Sequence, residues 1–203
     1  MKDIDKRKFF DKKAEGWDHR NHPDDKFRIK KLIDRFSLKP GDLVLDVGTG
    51  NGILLPYLGS QVKRDGKVYA IDFSWRMIFE AKKNNRKTNV RFLNATAEAL
   101  PIKDSRFDCI TCYSAFAHLC DKEKSLKEMA RVLKRGGRLY ITHPFGKKEL
   151  AGHHKVAGGA VEHDTLPSDV AMKKMMRDCG FKDIRIIDQP DLYWASAKKR
   201  SDI

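Results

Sequence analysis

Long apolar runs are missing from this chain. No stretch approaches the ~20 residues of a bilayer-crossing helix, and the basic start MKDIDKRKFFDKK leads into no apolar segment. The expectation is a cytoplasmic protein with no membrane span. Cysteine is scarce as well: Cys109, Cys112, Cys120 and Cys179, with no secretory leader, do not suggest a disulfide framework. Cys109 and Cys112 have the C-x-x-C spacing of redox and zinc sites, but both sit in the apolar run FDCITCY. Residues three apart on an extended strand point to opposite faces, so the two sulfurs would not meet on one ligand. Acidic residues are in deficit, 28 Asp and Glu against 42 Lys and Arg, for a net charge of +14. That sign suits nucleic acid, an anionic membrane surface or an anionic small substrate. The basic residues run from end to end instead of forming one block interleaved with aromatics, which favours a solvated Lys/Arg-rich surface.

Internal repeats and low-complexity tracts are also absent, and 203 residues fit one domain, since domains mostly hold about 100–200. Residues 4–15 and 25–36 read as helices within an N-terminal helical segment, 1–40. In the second, Ile29, Leu32, Ile33 and Phe36 fall on one stripe, and Pro40-Gly41 ends the pattern. Five short apolar runs follow: LVLDVG, KVYAID, VRFL, FDCITCY and RLYITH. Helical patterning separates them at 53–58, 75–85 and 125–133. Strands covered on both faces read in this continuous way, and their alternation with helices implies right-handed crossovers and a parallel sheet. A Gly- and His-rich loop is expected over 144–166, then a helix over 169–179 and two final strands, FKDIRII and LYWASAK.

The chemistry is concentrated in Asp46-Val47-Gly48-Thr49-Gly50-Asn51-Gly52, between a predicted strand and a predicted helix. Glycines there let the backbone turn tightly and approach a ligand, and the helix start offers unpaired N–H groups. The spacing is G-x-G-x-G, not the dinucleotide G-x-G-x-x-G, and an acid precedes it. A carboxylate at that point repels a pyrophosphate and attracts an ammonium group. No Gly-Lys-Ser/Thr follows, which excludes a P-loop. Asp72, about twenty residues beyond Gly52 at the end of the next strand, is placed to accept from ribose hydroxyls.

On these motifs the chain resembles the class I methyltransferases, in particular the small-molecule subgroup that includes the ubiquinone/menaquinone C-methyltransferases. The likeness runs through Phe10 to Asp18, Val44 to Gly52, Ala70 to Ser74 with Met77, Asn94 to Pro101, Phe107-Asp108 and Leu133 to Leu139. The resemblance implies one α/β domain over 1–203, a Rossmann-like doubly wound sheet of seven strands, mostly parallel with an antiparallel last strand, and helices on both faces. Residues 1–40 would cap the cofactor, and the loop 144–166 would lie on the acceptor side. The implied cofactor is S-adenosylmethionine, leaving as S-adenosylhomocysteine. Asp46 with Gly48, Thr49, Gly50 and Gly52 would hold its methionine part, Asp72 its ribose, and Phe73 and Met77 its adenine. Thr96, standing where many members carry Asp, and Ala97 would flank the adenine edge. Tyr113, Ser114 and Trp17 would complete the pocket. Phe10 stands where some relatives have Tyr, so no hydroxyl is available there.

The implied reaction is in-line displacement at a methyl carbon, favoured by holding acceptor and methyl in near-attack geometry. A base is required only where the acceptor is protonated. His118 and His143, near the carboxyl ends of the fourth and fifth strands, are the candidate catalytic residues, with packing as the alternative role for His118. His153, His154 and His163, with Glu162 and Asp164, are weak candidates for metal binding or a polar lid. The expected partner is a small-molecule methyl acceptor. An RNA acceptor is less favoured, because no RNA-binding domain is appended and Tyr113-Ser114-Ala115-Phe116 stands where an N-P-P-Y-type tetrad would. A non-catalytic cofactor sensor also remains open, and a nicotinamide oxidoreductase conflicts with Asp46 and the glycine spacing.

Overall fold

The computed structural model describes residues 2–16, 25–85 and 89–201. Its centre is a seven-stranded sheet in the order β3-β2-β1-β4-β5-β7-β6. The strands are β1 Leu43–Val47, β2 Lys67–Asp72, β3 Val90–Asn94, β4 Phe107–Tyr113, β5 Leu133–His143, β6 Phe181–Gln189 and β7 Leu192–Lys199. β1 to β5 pair in parallel, and β7 runs antiparallel to both β5 and β6. The expected doubly wound, mostly parallel sheet with an antiparallel last strand is therefore the sheet observed.

Among the described residues seven α-helices accompany the strands: α1 Lys2–Lys13, α2 Asp25–Ile33, α3 Leu55–Val62, α4 Trp75–Asn84, α5 Lys122–Val132, α6 Lys147–Ala157 and α7 Asp169–Asp178. Their starts carry local signals. Ser74, Asp121 and Ser168 accept from the backbone N–H groups of Met77, Lys124 and Ala171, satisfying one otherwise unpaired donor at each helix start. Pro56 stands in the first turn of α3, where no N–H partner is needed. Apolar residues then recur at helical spacing, as with Leu126, Met129 and Ala130 of α5 or Met172 and Met176 of α7, and are buried.

Both faces of the sheet are covered. On one face Val44, Cys109 and Tyr140 pack with Ile29, Leu32 and Phe36 of the N-terminal segment and with Leu55 and Leu58 of α3. On the other, Leu45, Val47, Ile110 and Cys112 pack with Leu126, Met129, Met172 and Met176. Cys109 and Cys112 thus lie on opposite sides of one strand, each a free, buried thiol.

The segment expected as a loop, 144–166, is largely helical: α6 is followed by a 3-10 turn, Gly159–Val161. Gly152 and paired histidines have weak helical preference, yet Leu150 and His154, one turn apart, are both buried. Tertiary burial of that short stripe outweighs local propensity. β5 also starts earlier than RLYITH, at Leu133, with a register shift opposite β4 between Phe107 and Cys109.

The N-terminal segment is anchored to the sheet by one aromatic stack. Phe36 is fully buried; its ring stacks on Tyr140 at 4.7 Å and meets Trp194 at 5.6 Å. Phe36→Ala removes that wedge and is expected to cost about 3–5 kcal/mol. Urea unfolding measures it, and a loss below about 1 kcal/mol would contradict the packing described.

Candidate functional site

The sheet order reverses between β1 and β4, and open α/β sheets bind ligands outside the carboxyl ends of their strands at such a point. A cavity of about 720 Å3 opens there. Its floor is the end of β1 and the turn after it. Gly48 has φ +70 and Gly50 φ +54, in the left-handed region that side chains disfavour. A Cβ on Gly48 would lie 2.3 Å from Cβ of Ala115, so the turn and the loop after β4 touch there without room for a methyl group. The turn closes through Gly52 N–H donating to Thr49 O at 3.0 Å, and Thr49 N–H donates to Ile71 O at 2.9 Å.

Two carboxylates bracket this turn. Asp46 pairs in register with Ala70 on one side and Thr111 on the other. Thr111 Oγ1 donates to its Oδ1 and Thr49 Oγ1 to its Oδ2, each at 2.7 Å. Asp72 accepts from Gly50 N–H through Oδ2 and from Ser74 N–H through Oδ1, each at 2.9 Å. Asp46 is 2% exposed and Asp72 6%. Burial pushes Asp46 up to about 6 against the opposing hydroxyls of Thr49 and Thr111. Burial likewise lifts Asp72 to about 6, opposed by the Ser74 and Gly50 N–H groups and reinforced by the charges of Asp46 and Asp11. Among the described residues neither carboxylate has a Lys or Arg partner. Such a desolvated anionic floor beside bare backbone suits a ligand with an ammonium group and hydroxyls, and opposes a diphosphate.

The remaining expected contacts are distributed as follows. Phe73, Met77, Thr96, Ala97, Tyr113 and Ser114 line the cavity with Asp46, Gly48, Thr49, Gly50 and Asp72. Gly52 does not line it, but closes the turn. Ser114 has φ +54, a costly conformation outside glycine that recurs at ligand sites. Trp17 lies outside the described residues.

His118, at the end of the 3-10 turn Phe116–His118, lines the cavity. His143 does not. It ends β5 fully buried, and neither ring nitrogen has a hydrogen-bond partner. Burial, reinforced by His118 and His154, holds it well below the usual imidazole range. The three loop histidines have different partners, and only His154 approaches His118, with ring centroids 4.7 Å apart. His153 stacks on Phe145, His154 Nδ1 donates to Asp164 O at 2.5 Å, and His163 is exposed. Among the described residues no cluster of three potential metal ligands exists.

Several contributors carried no signal in their own residue pattern, although the resemblance places Phe10 and Asp11 in the segment expected to cap the cofactor. From α1, Arg7, Phe10 and Asp11 border the cavity, and Asp11 accepts from Ser74 Oγ at 2.5 Å. Thr111 reads in sequence as one more residue of an apolar strand, and only its register beside Asp46 reveals its role.

Comparison with known proteins gives the family. A family model described as a methyltransferase domain matches residues 45–141. The ubiquinone/menaquinone biosynthesis C-methyltransferase UbiE of Escherichia coli O1:K1 is 32% identical over 189 residues, covering 78% of this chain and 75% of that protein. A crystal structure of an S-adenosylmethionine-dependent methyltransferase from Aquifex aeolicus is 30% identical, with TM-score 0.69 over 84% of this chain and 88% of that one. A Haemonchus contortus N-methyltransferase in complex with phosphomonomethylethanolamine and S-adenosylhomocysteine shares the fold at 17% identity and TM-score 0.72, over 86% of this chain and 52% of that one.

The two raised carboxyls give binding a pH dependence of definite sign. A ligand ammonium needs Asp46 ionised and ribose hydroxyls need Asp72 as an acceptor, so S-adenosylhomocysteine should bind with a pH-independent dissociation constant above about pH 7 and lose affinity as pH falls through about 6, approaching tenfold per pH unit for each group required. Asp46→Asn should bind more weakly at pH 7.5 and show a shallower fall. Calorimetry from pH 5 to 8 measures both, and an affinity that rises on acidification would exclude the assignment.

Proposed function

The chain belongs to the S-adenosylmethionine-dependent methyltransferases, and on that premise we propose that it moves a methyl group onto a small-molecule acceptor held in the cavity beside α1. The observation that carries the proposal is the pair of buried carboxylates without cationic partners that bracket the glycine turn. When bound, S-adenosylmethionine supplies a methyl group on a sulfonium centre.

This chain's residues do the holding. Asp46 and the backbone around Gly48 and Gly50 would take the amino-acid end, whose ammonium would offset the desolvated Asp46. Asp72, whose oxygens already accept from Gly50 and Ser74, has lone pairs left for ribose hydroxyls. Phe73 and Met77, which pack with Phe10 of α1, supply an apolar wall for the adenine, and Thr96 and Ala97 sit at its edge.

A cavity of about 720 Å3 is of the size that takes a cofactor with a small molecule, since ligand pockets span about 300–1,000 Å3. The relatives named for ubiquinone and menaquinone biosynthesis support a small acceptor over a macromolecule. α1 covers the cavity with Ile4, Arg7, Lys8 and Phe10, which favours a ligand that fits inside.

S-Adenosylmethionine and S-adenosylhomocysteine at 100 times their dissociation constants should each stabilise the chain by about 2.7 kcal/mol, a Tm rise of roughly 5–10 °C. NAD should give no shift, and Asp72→Ala should abolish the rise with the first two. Release of S-adenosylhomocysteine should then accompany methylation of hydroquinone, thiol or amine compounds. Turnover with RNA alone would overturn the small-molecule assignment.

A further inference from the structure

The cavity that Asp46 and Asp72 line is also lined by His118, which belongs to an ionic cluster with Asp164 and Lys6. His118 faces the cavity with its side chain 14% exposed. Its Nδ1 lies 2.8 Å from Oδ2 of Asp164, 46 residues later in the chain. Oδ1 of Asp164 accepts from Lys6 Nζ at 2.6 Å, and Lys6 also donates to the His118 carbonyl at 3.0 Å. The Asp164 carbonyl is in turn held by His154 Nδ1. Both oxygens and the backbone of this aspartate are thus fixed by α1, α6 and the turn before α5.

The protonation pattern follows from the donors present. Burial pushes Asp164 up, but the hydrogen bonds from His118 and Lys6 outweigh it and hold the carboxyl below the usual range. An ionised carboxylate only accepts, so Nδ1 of His118 carries the hydrogen. Burial lowers His118 itself against the opposing pull of Asp164, with His154 and Lys6 adding to the lowering, so the neutral ring is favoured at pH 7. Nε2 then bears the lone pair and is the ring nitrogen that Asp164 leaves free of its hold. The other charged or titratable groups near the ring are Lys122 of α5, whose Nζ donates to the Ala117 and Leu119 carbonyls, and buried His143 of β5.

We propose that His118 is the general base of the transfer, positioned by Asp164, and that the acceptor is a hydroxyl compound whose attacking oxygen must shed a proton. The proposal rests on the methyltransferase assignment and goes beyond it by naming the base, its positioning residue and the acceptor class. As its lone pair bonds the methyl carbon, the acceptor oxygen passes its proton to Nε2 of His118. The electron pair of the broken carbon–sulfur bond remains on sulfur, which becomes neutral. The imidazolium formed beside the Asp164 carboxylate releases its proton to solvent after product leaves. A phenolic hydroxyl with a pKa of about 10 is only about one part in a thousand ionised at pH 7, so a held base has much to contribute. A thiol with a pKa near 8.5 is already a few per cent ionised at about that pH and gains far less.

Nuclear magnetic resonance decides the geometry without any acceptor. In the full chain labelled with 15N-histidine and saturated with S-adenosylhomocysteine at pH 7.5, His118 should show a protonated Nδ1 and a lone-pair Nε2, and Asp164→Asn should erase that preference. Kinetics with 1,4-naphthohydroquinone and catechol then test the role. His118→Gln should lower kcat by about 10²–10⁴ while the dissociation constant for S-adenosylhomocysteine stays unchanged. Asp164→Asn should fall between native and that variant and move the acid limb of the pH–rate profile to lower pH, because Asp164 raises the imidazole pKa. A protonated Nε2 in the native chain, undiminished turnover of His118→Gln, or native transfer to 2-mercaptoethanol but to neither hydroxyl probe would each overturn the proposal. If the native chain methylates none of these probes, the tautomer alone decides. Failure of S-adenosylhomocysteine to bind would instead remove the methyltransferase assignment beneath it.

Discussion

The hydrogen bonds from Thr111 and Thr49 to Asp46 are the contacts on which the site is built. Asp46, next to last in the central strand β1, carries a buried charge that no described cation neutralises. Burying a carboxylate this way is costly unless its oxygens are occupied. The two hydroxyls reduce that cost, and Thr49 in doing so ties the carboxylate to the glycine turn. Gly50 then donates to Asp72, so the turn is strung between two carboxylates on neighbouring strands. The incomplete neutralisation that remains would favour a ligand with an ammonium group at this end of the cavity. Stability has been given up here to keep an anionic floor ready.

α1 joins this floor to the rest of the cavity. Its Asp11 reaches Ser74, the residue that both donates to Asp72 and caps α4, while its Lys6 reaches Asp164 and the His118 carbonyl. One helix therefore contacts the cofactor side and the histidine side together. Phe10 lies between them, edge-on to Phe73 at 5.7 Å and to His118 at 5.2 Å. A helix laid over the cavity lowers the water around its charged groups, which strengthens the electrostatic contacts inside it.

Much of this was legible in the residues themselves. Continuous apolar runs such as LVLDV and FDCITCY identify strands covered on both faces, and the acid-then-glycine order at Asp46 to Gly52 marks the turn that lies on the cavity floor. Both signals are local, because a strand's burial and a turn's φ angles are written in adjacent residues. The segment 144–166 was less legible. Its glycines and histidines read as loop, whereas α6 is held by burial of Leu150 and His154 against distant residues. His143 had the right place at a strand's carboxyl end, yet its side chain is packed inside, away from the cavity.

The sequence by itself determined the fold class and the position of the acid-and-glycine turn that lies on the cavity floor, because periodicity and glycine placement act over a few residues. Only the tertiary structure decided which polar groups meet: Thr111 with Asp46, Asp11 with Ser74, and Lys6 and His118 with Asp164. Those partners stand 65, 63, 158 and 46 positions apart. What brings them together is the order of strands in the sheet and the packing of α1 and α6 across its end, and no local pattern in the chain encodes such distances.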